Sequence, residues 1–523
     1  VSDHGFVFGI DVGSASARAG LFDAEGHLVA SAAAPFETNR PAPHHAEHDC
    51  ADIWRAVCAA VRDARGRAAV APDRIIGVAF DATCSLVLLD AAGNPATCST
   101  TGQDRWNVVM WADHRATVEA AEITATGHRA LAHVGGVMSP EMQLPKLLWL
   151  KQHLPAAWAR YGLALDLADF LAWRATGQPA ISACTVTCKW AFLNHETAGW
   201  QHDLLERIGL GEIVAKFGLP QRAQPIGARA GVLIEAAAAE LGLAPGTVVG
   251  VGLIDAHAGG LGLLGGVPPG ELDGHLALIA GTSNCHMACS REPRHIAGIW
   301  GPYFGAMIPG LWLNEGGQSA TGAALDHILD CDARAAVLGP NRHAAMAEHV
   351  RRAIAAHGPG FAEELIVVPD FNGNRSPLAD ATRRGVIHGL DLDGSFEGLV
   401  KLYHATALGI AYGTRHIVDA LDAAGYAIRQ VHMTGGHARS PYLAQLYADA
   451  LDREIVLPAE PDAVLLGSAM VAATASGVHE NLAAAARAMA REGRRLVPDP
   501  GGADRHARGY RAFRSLIDWR APA

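Results

Sequence analysis

The chain has little charge of any kind. Of its 523 residues 18% are Asp, Glu, Lys or Arg, the net balance is -11, and no block of lysine or arginine occurs in it. A nucleic-acid groove or an anionic membrane surface is met by such a block, so both partner classes are set aside. Cysteine is scarce as well. The nine thiols, Cys50, Cys58, Cys84, Cys98, Cys184, Cys188, Cys285, Cys289 and Cys331, are odd in number and thinly spread. That excludes a disulfide scaffold and suits a reducing cytoplasm. Cys184-x-x-x-Cys188 and Cys285-x-x-x-Cys289 lack zinc spacing and read as buried thiols. The longest nearly uncharged stretch, residues 248–267, holds Asp255, His257 and seven glycines. It reads as a buried strand, a turn and a helix start, not as a membrane span. The opening Val1-Ser-Asp-His-Gly5 lacks the basic and apolar regions of a secretion signal, so no secretion is expected.

What is present is apolar and alternating. Half the residues are hydrophobic, which excludes long disorder, and the length exceeds what one core organises. Short apolar runs at Phe6-Val-Phe-Gly-Ile10, Ala19-Gly-Leu-Phe-Asp23, Leu28-Val-Ala-Ser-Ala32, Ile75-Ile-Gly-Val78 and Leu86-Val-Leu-Leu89 alternate with turns and an amphipathic stretch from Asp52 to Arg65. The class is α/β. A second cycle starts near residue 270, where His275-Leu-Ala-Leu-Ile-Ala-Gly281 enters Gly281-Thr-Ser283 much as Phe8-Gly-Ile-Asp-Val-Gly13 enters Ser14-Ala-Ser16. Two such units half a chain apart suggest a duplication, divided as 1–262 and 263–523. Helices are expected at 318–329, 344–356, 399–423 and 441–451, with a strand at 431–434 running into Gly435-Gly436.

The residues that could carry chemistry lie at these strand ends. Asp11-Val-Gly-Ser-Ala-Ser-Ala-Arg18 offers close backbone approach at Gly13, donors at Ser14, Ser16 and Arg18, and a carboxylate at Asp11 for a magnesium shell. It reads equally as an ordinary polar hairpin. A P-loop is excluded, because Gly-Lys-Ser/Thr is absent. Gly281, Thr282 and Ser283 gain weight only by repeating the first loop; two such hairpins facing each other across a cleft would hold one polyphosphate. Asp255 follows an apolar strand, where an open α/β sheet binds its ligands, and is a candidate base for an attacking hydroxyl; a helix cap is the alternative. Taken alone, Lys189 and Glu315 read as surface charges and Trp111 as core. His44-His-Ala-Glu-His48 gathers imidazoles as a metal cluster would, without a ligand spacing or supporting carboxylate to back that reading.

In order, Asp11-x-Gly-Ser-x-Ser-x-Arg18, Asp255, Gly281-Thr-Ser283 and Gly435-Gly-His-Ala-Arg-Ser440 resemble the FGGY carbohydrate kinases over essentially the whole chain. Gly77-Val-Ala-Phe-Asp-Ala-Thr-Cys-Ser85, Met110-Trp-Ala-Asp-His-Arg115 and Asp370-Phe-Asn-Gly-Asn-Arg-Ser-Pro377 resemble the pentulose kinase, ribulokinase-like branch. The resemblance implies two actin-like (ribonuclease H-like) ATPase domains around a cleft. It implies ATP on the two hairpins and on Gly435, Gly436 and Arg439, and magnesium near Asp11 and Asp255. Asp255 becomes the base, and a sugar lies against Asp81, Trp111, Lys189, Asp255 and Glu315. D-ribulose is the expected acceptor, with L-ribulose, xylulose, ribitol or a shorter ketose as alternatives, and a homodimer is the family expectation. A nucleotide-gated binding or chaperone-like protein and a silent sugar sensor are the rivals from other classes. Two positions depart from the family pattern: Gln143, where a small residue or proline is usual, and Gly409, where an acidic residue is usual.

Overall fold

The computed structural model describes residues 5–519, so positions 1–4 of the opening segment fall outside it. Two seven-stranded sheets form the frame. The first runs Leu28–Pro35, Ser16–Phe22, Phe6–Val12, Ile75–Ala82, Val248–Gly250 and Arg229–Val232, with Leu253–Ile254 also paired to Ile75–Ala82. The second runs Trp300–Phe304, Trp312–Gln318, Asn284–Ser290, His275–Ala280, Gln430–Thr434, Glu454–Pro458 and Glu492–Leu496. In each, three antiparallel strands are followed by two parallel ones and a last antiparallel one, with Trp300–Phe304 an extra antiparallel edge on the second. The suspected duplication is therefore a repeat of topology.

The central strands are apolar on both faces because helices cover both. Phe6–Val12 is buried from Val7 onward, and Phe8, Ile10, Leu21, Phe22 and Phe80 have no exposed surface. Each such side chain contributes roughly 1.5–3 kcal/mol of burial. One cover is the helix Cys50–Ala68, whose Ile53, Val57, Ala60, Val61 and Ala64 fall on one face at helical spacing. Asp49 caps its start by accepting from the Ala51 N–H at 2.9 Å. The other cover comes from far along the chain: Ala463–Ala475 lies on Phe6–Val12, Ile75–Ala82 and Val248–Gly250. Asp255–Leu264 in turn packs on the second sheet's His275–Ala280, and the two helices cross between the sheets. Gly467 permits the crossing, since a Cβ there would run into the Ala258 carbonyl.

The expected helix at 318–329 begins only at Gly322. Gln318 stays in the strand, paired with Asn284, and its side chain donates to the Ile410 carbonyl at 3.0 Å while accepting from Thr414 at 2.8 Å. The other expected helices are present as Arg342–His357, Phe396–Ala423 and Pro441–Leu451. Gly409 sits in Phe396–Ala423 where a Cβ would strike the Val367 carbonyl, so no longer residue fits. None of the described helices is long and apolar enough to cross a membrane.

Candidate active site

Three carboxylates gather at the carboxyl ends of the first sheet's parallel strands. Asp11 and Asp81 are direct register partners, and Leu253, two residues before Asp255, also pairs with Asp81. Asp11 accepts from Arg18 Nε at 2.7 Å, and Arg18 Nη1 donates to Asp462 Oδ2 at 2.6 Å. The arginine thus ties the first hairpin to the cap of Ala463–Ala475. Asp81 has no exposed surface; its Oδ2 accepts from Ser468 Oγ at 2.5 Å and its Oδ1 has no partner. Burial and the neighbouring Asp11 charge push its carboxyl well above the usual range. Burial and Asp11 likewise raise Asp255 to about 6. An orphaned buried oxygen within a group of like charges fits a divalent cation. The three do not close into a direct ligand cluster, since among the described residues only the surface group Asp23, Glu25 and His27 does. Magnesium, which keeps several of its waters, suits that wider spacing.

The charges expected at the surface are buried instead. Lys189 is 2% exposed and Glu315 5%. Lys189 ends the helix Ala183–Lys189, with Nζ 4.4 Å from the Trp300 ring centroid. Burial disfavours its charge, but Cys84 and Glu315 hold it protonated. Burial also opposes charge on Glu315, yet Lys189 and His257 bring it down to about 2. Glu315 stands in Trp312–Gln318 of the second sheet, so the pair spans both halves. Trp111 is half-buried; its Nε1 donates to Ser14 Oγ at 2.9 Å, and its backbone N–H donates to Ser85 Oγ at 3.1 Å. The indole thereby ties the segment at 110–115 to the first hairpin.

The second hairpin repeats the first with a turn one residue shorter. The Gly13 N–H donates to the Ser16 carbonyl at 3.1 Å, and the Gly281 N–H to the Ser283 carbonyl at 3.0 Å. Thr321 Oγ1 holds the Gly281 carbonyl at 2.9 Å, directly before the helix Gly322–Asp330. A cavity of about 1310 Å³ opens beside this turn, lined by Gly281, Thr282, Gly436, Arg439, Tyr442 and Leu446 among others. Gly435 has φ +96, and a Cβ there would meet the Ala280 carbonyl, which explains the first of the paired glycines ahead of Pro441–Leu451. The lining lies wholly within the chain's second half, so the first hairpin is not part of this cavity.

The sequence assigned no role to several groups at the site. Arg375, from the loop at 370–377, donates to Glu141 Oε1 at 3.0 Å and lies 5.7 Å from the Trp111 and Trp300 rings. Despite burial, the Arg375 charge brings Glu141 to about 2. His257 is fully buried between Glu315 and Cys184, and although burial opposes its charge those neighbours raise it to about 10. Gln143 replaces the usual small residue by donating to Asp166 Oδ1 at 2.9 Å and to the Cys84 carbonyl at 3.1 Å. The histidines at 44–48 are not gathered as ligands. Glu47 accepts from Arg115 at 2.9 Å, and His48 meets Thr38 Oγ1 at 3.0 Å, burial lowering it to about 4. All nine cysteines are free thiols, with Cys184, Cys188 and Cys289 buried.

A duplicated α/β frame with a carboxylate raised to about 6 just after a strand, buried opposite charges and a cavity beside a Gly-rich turn fits phosphoryl transfer. Known proteins agree. The profile described as the FGGY family of carbohydrate kinases, N-terminal domain, matches residues 6–262, and its C-terminal counterpart matches 276–476. The chain belongs to that family of carbohydrate kinases, on its ribulokinase-like side, which sets the chaperone reading aside. It is 42% identical over 533 residues to an FGGY carbohydrate kinase domain-containing protein of Danio rerio, covering 98% of this chain and 97% of that one. It is 34% identical to a D-ribulokinase of Saccharomyces cerevisiae, covering 90% of this chain and 72% of that protein. A xylulose kinase from Rhodospirillum rubrum shares the fold at TM-score 0.79 and 26% identity, with 98% of both chains covered.

Proposed function

We propose that the protein transfers the γ-phosphoryl group of ATP to a terminal hydroxyl of D-ribulose, giving D-ribulose 5-phosphate and ADP. The observation that carries this reading is the buried and opposite charges of Lys189 and Glu315, each sustaining the other, near an Asp255 held at about 6. A polyol offers hydroxyls that both accept and donate. A buried ammonium and a buried carboxylate answer both roles, and the tryptophans supply an apolar face. The similarity to a D-ribulokinase supports the choice among pentuloses.

In this reading the sugar lies against Trp111, Lys189 and Glu315, which aim one terminal hydroxyl at Asp255. Asp255 takes the hydroxyl proton as the new P–O bond forms and the bond to the ADP oxygen breaks. Gly13, Ser14 and Ser16 from one side and Gly281, Thr282 and Ser283 from the other approach the phosphates, while Gly436 and Arg439 border the nucleoside. Arg18 holds Asp11 in place. Asp81, closed off by Ser468, belongs with the phosphate-end charges and not with the sugar. Magnesium, held near Asp11 and Asp255, would neutralise the phosphate oxygens. Closure of the two halves, divided as 1–262 and 263–523, would exclude water from the transfer. Free thiols throughout suit a reducing cytoplasm.

The test is ADP release with D-ribulose, L-ribulose, D-xylulose, ribitol and a four-carbon ketose, against a control without sugar. D-ribulose is expected to give the highest kcat/KM by at least an order of magnitude. Preference for another member of the panel moves the substrate assignment, and ADP release unaffected by every sugar overturns it. Asp255→Asn is expected to abolish transfer while nucleotide affinity stays within about threefold. Wild-type turnover in that variant would remove Asp255 from its role.

A further inference from the structure

The phosphoryl step leaves one buried group unused. His257 lies in the first turn of Asp255–Leu264, has no exposed surface, and has a partner on each ring nitrogen. Nε2 is 3.2 Å from Glu315 Oε2, and Nδ1 is 3.0 Å from Cys184 Sγ. Cys184 also accepts the Ile254 N–H at 3.4 Å, and Cys188 Sγ stands 3.9 Å from the same Nδ1. An ionised carboxylate can only accept, so the hydrogen in the contact with Glu315 belongs to Nε2. The contact at Nδ1 is completed by sulfur. Whether the proton between sulfur and Nδ1 rests on one atom or the other, Nε2 keeps its hydrogen and points it at Glu315.

These three residues come from three elements. Cys184 is on the helix that ends in Lys189, His257 on the helix that begins with Asp255, and Glu315 on a strand of the second sheet. We propose that His257 is a positioning residue for the sugar: backed by Cys184, it fixes one oxygen of Glu315 and turns the remaining acceptor of that carboxylate toward a substrate hydroxyl. The proposal rests on the pentulose kinase reading for its substrate. The hydrogen-bonded chain itself does not depend on it. A carboxylate free to rotate would have to be ordered by each incoming sugar, so the effect falls on sugar binding and not on ATP.

The experiment is steady-state kinetics on the full chain with His257→Leu, His257→Gln, Cys184→Ala and Cys184→Ser. Loss of a hydrogen bond to a charged group corresponds to roughly a tenfold to hundredfold change in binding. His257→Leu is expected to raise the pentulose KM by that factor and leave the ATP KM within about twofold. His257→Gln, whose amide still donates, is expected to recover most of the loss. Cys184→Ser is expected to stay near wild type and Cys184→Ala to raise the sugar KM a few-fold. An unchanged sugar KM in His257→Leu, or an equal rise for sugar and ATP, overturns the proposal. Should His257→Leu fail to fold, the two Cys184 variants decide in the same terms. A second readout needs no substrate: ¹⁵N spectra of histidine-labelled protein at one pH, with His257 assigned by its loss in His257→Gln. A hydrogen on Nε2, and a shift confined to Nδ1 in Cys184→Ala, are expected; a bare Nε2 overturns the chain. If the wild type phosphorylates no sugar, the kinase reading falls and the spectra still decide the hydrogen-bonded chain.

Discussion

Asp255 must be ionised to accept a proton, yet it is half-buried beside the negative charge of Asp11. Its carboxyl, raised to about 6, loses the base form as pH falls through that value, so kcat/KM is expected to show an acidic limb near pH 6 that is absent from the nucleotide-binding profile. The same shift costs stability. Between the unfolded carboxylate value of about 4 and the folded value of about 6 the native state holds the extra proton, so stability falls as pH rises through that window, by about 3 kcal/mol once Asp255 is ionised. Asp81→Asn, which keeps a partner for Ser468 and removes an acid that burial beside Asp11 makes costly to ionise, is expected to raise Tm at pH 8 and to lower activity; a fall in Tm would show that Asp81 is held as an ionic partner instead. Asp255 was legible in the sequence because a carboxylate closing an apolar strand points at the ligand edge of a sheet. Arg18 was legible only as a donor. Its second partner, Asp462, is 444 residues away, and no local pattern announces such a pairing.

At the level of elements the two hairpins were the clearest reading, since glycine and hydroxyl residues after an apolar strand have few other uses. The burial of Lys189 and Glu315 was not readable without the family resemblance, because each is made tolerable by the other from an opposite half. The loop at 370–377 was legible as a motif and silent as to role. Its Arg375 reaches Glu141 across the halves, 234 residues away in the chain, and both side chains are about nine-tenths covered. Removing one partner leaves a buried charge unanswered, which costs about 3–5 kcal/mol. Arg375→Ala is therefore expected to unfold at lower temperature and to raise the KM for sugar, checked by thermal denaturation and initial rates. With Glu141 at about 2, the pair's contribution is complete above about pH 4.5 and disappears as pH falls toward 2, so Glu141→Gln is expected to flatten that part of the acid-unfolding curve.

On the scale of the whole molecule there are two hydrophobic cores; the first holds the first sheet and also takes in Ala277, Met287 and Leu313 of the second sheet and residues from 463 to 489. The duplicated topology could be suspected from paired strand-and-turn strings; the exchange of helices between sheets could not, because Ala463–Ala475 is apolar on all sides and tells nothing of which sheet it covers. That exchange bears on how the protein is made. The first sheet's strands are all synthesised by residue 254, but the helix that seals one face of them follows more than two hundred residues later, on the order of tens of seconds at ordinary elongation rates. Until then Phe6–Val12 and Ile75–Ala82 present a bare apolar surface. A nascent chain halted at residue 262 is accordingly expected to remain protease-sensitive, and one extended past residue 490 to become resistant in a single step, so that the amino-terminal half acquires its shape only as the carboxyl-terminal end is being completed.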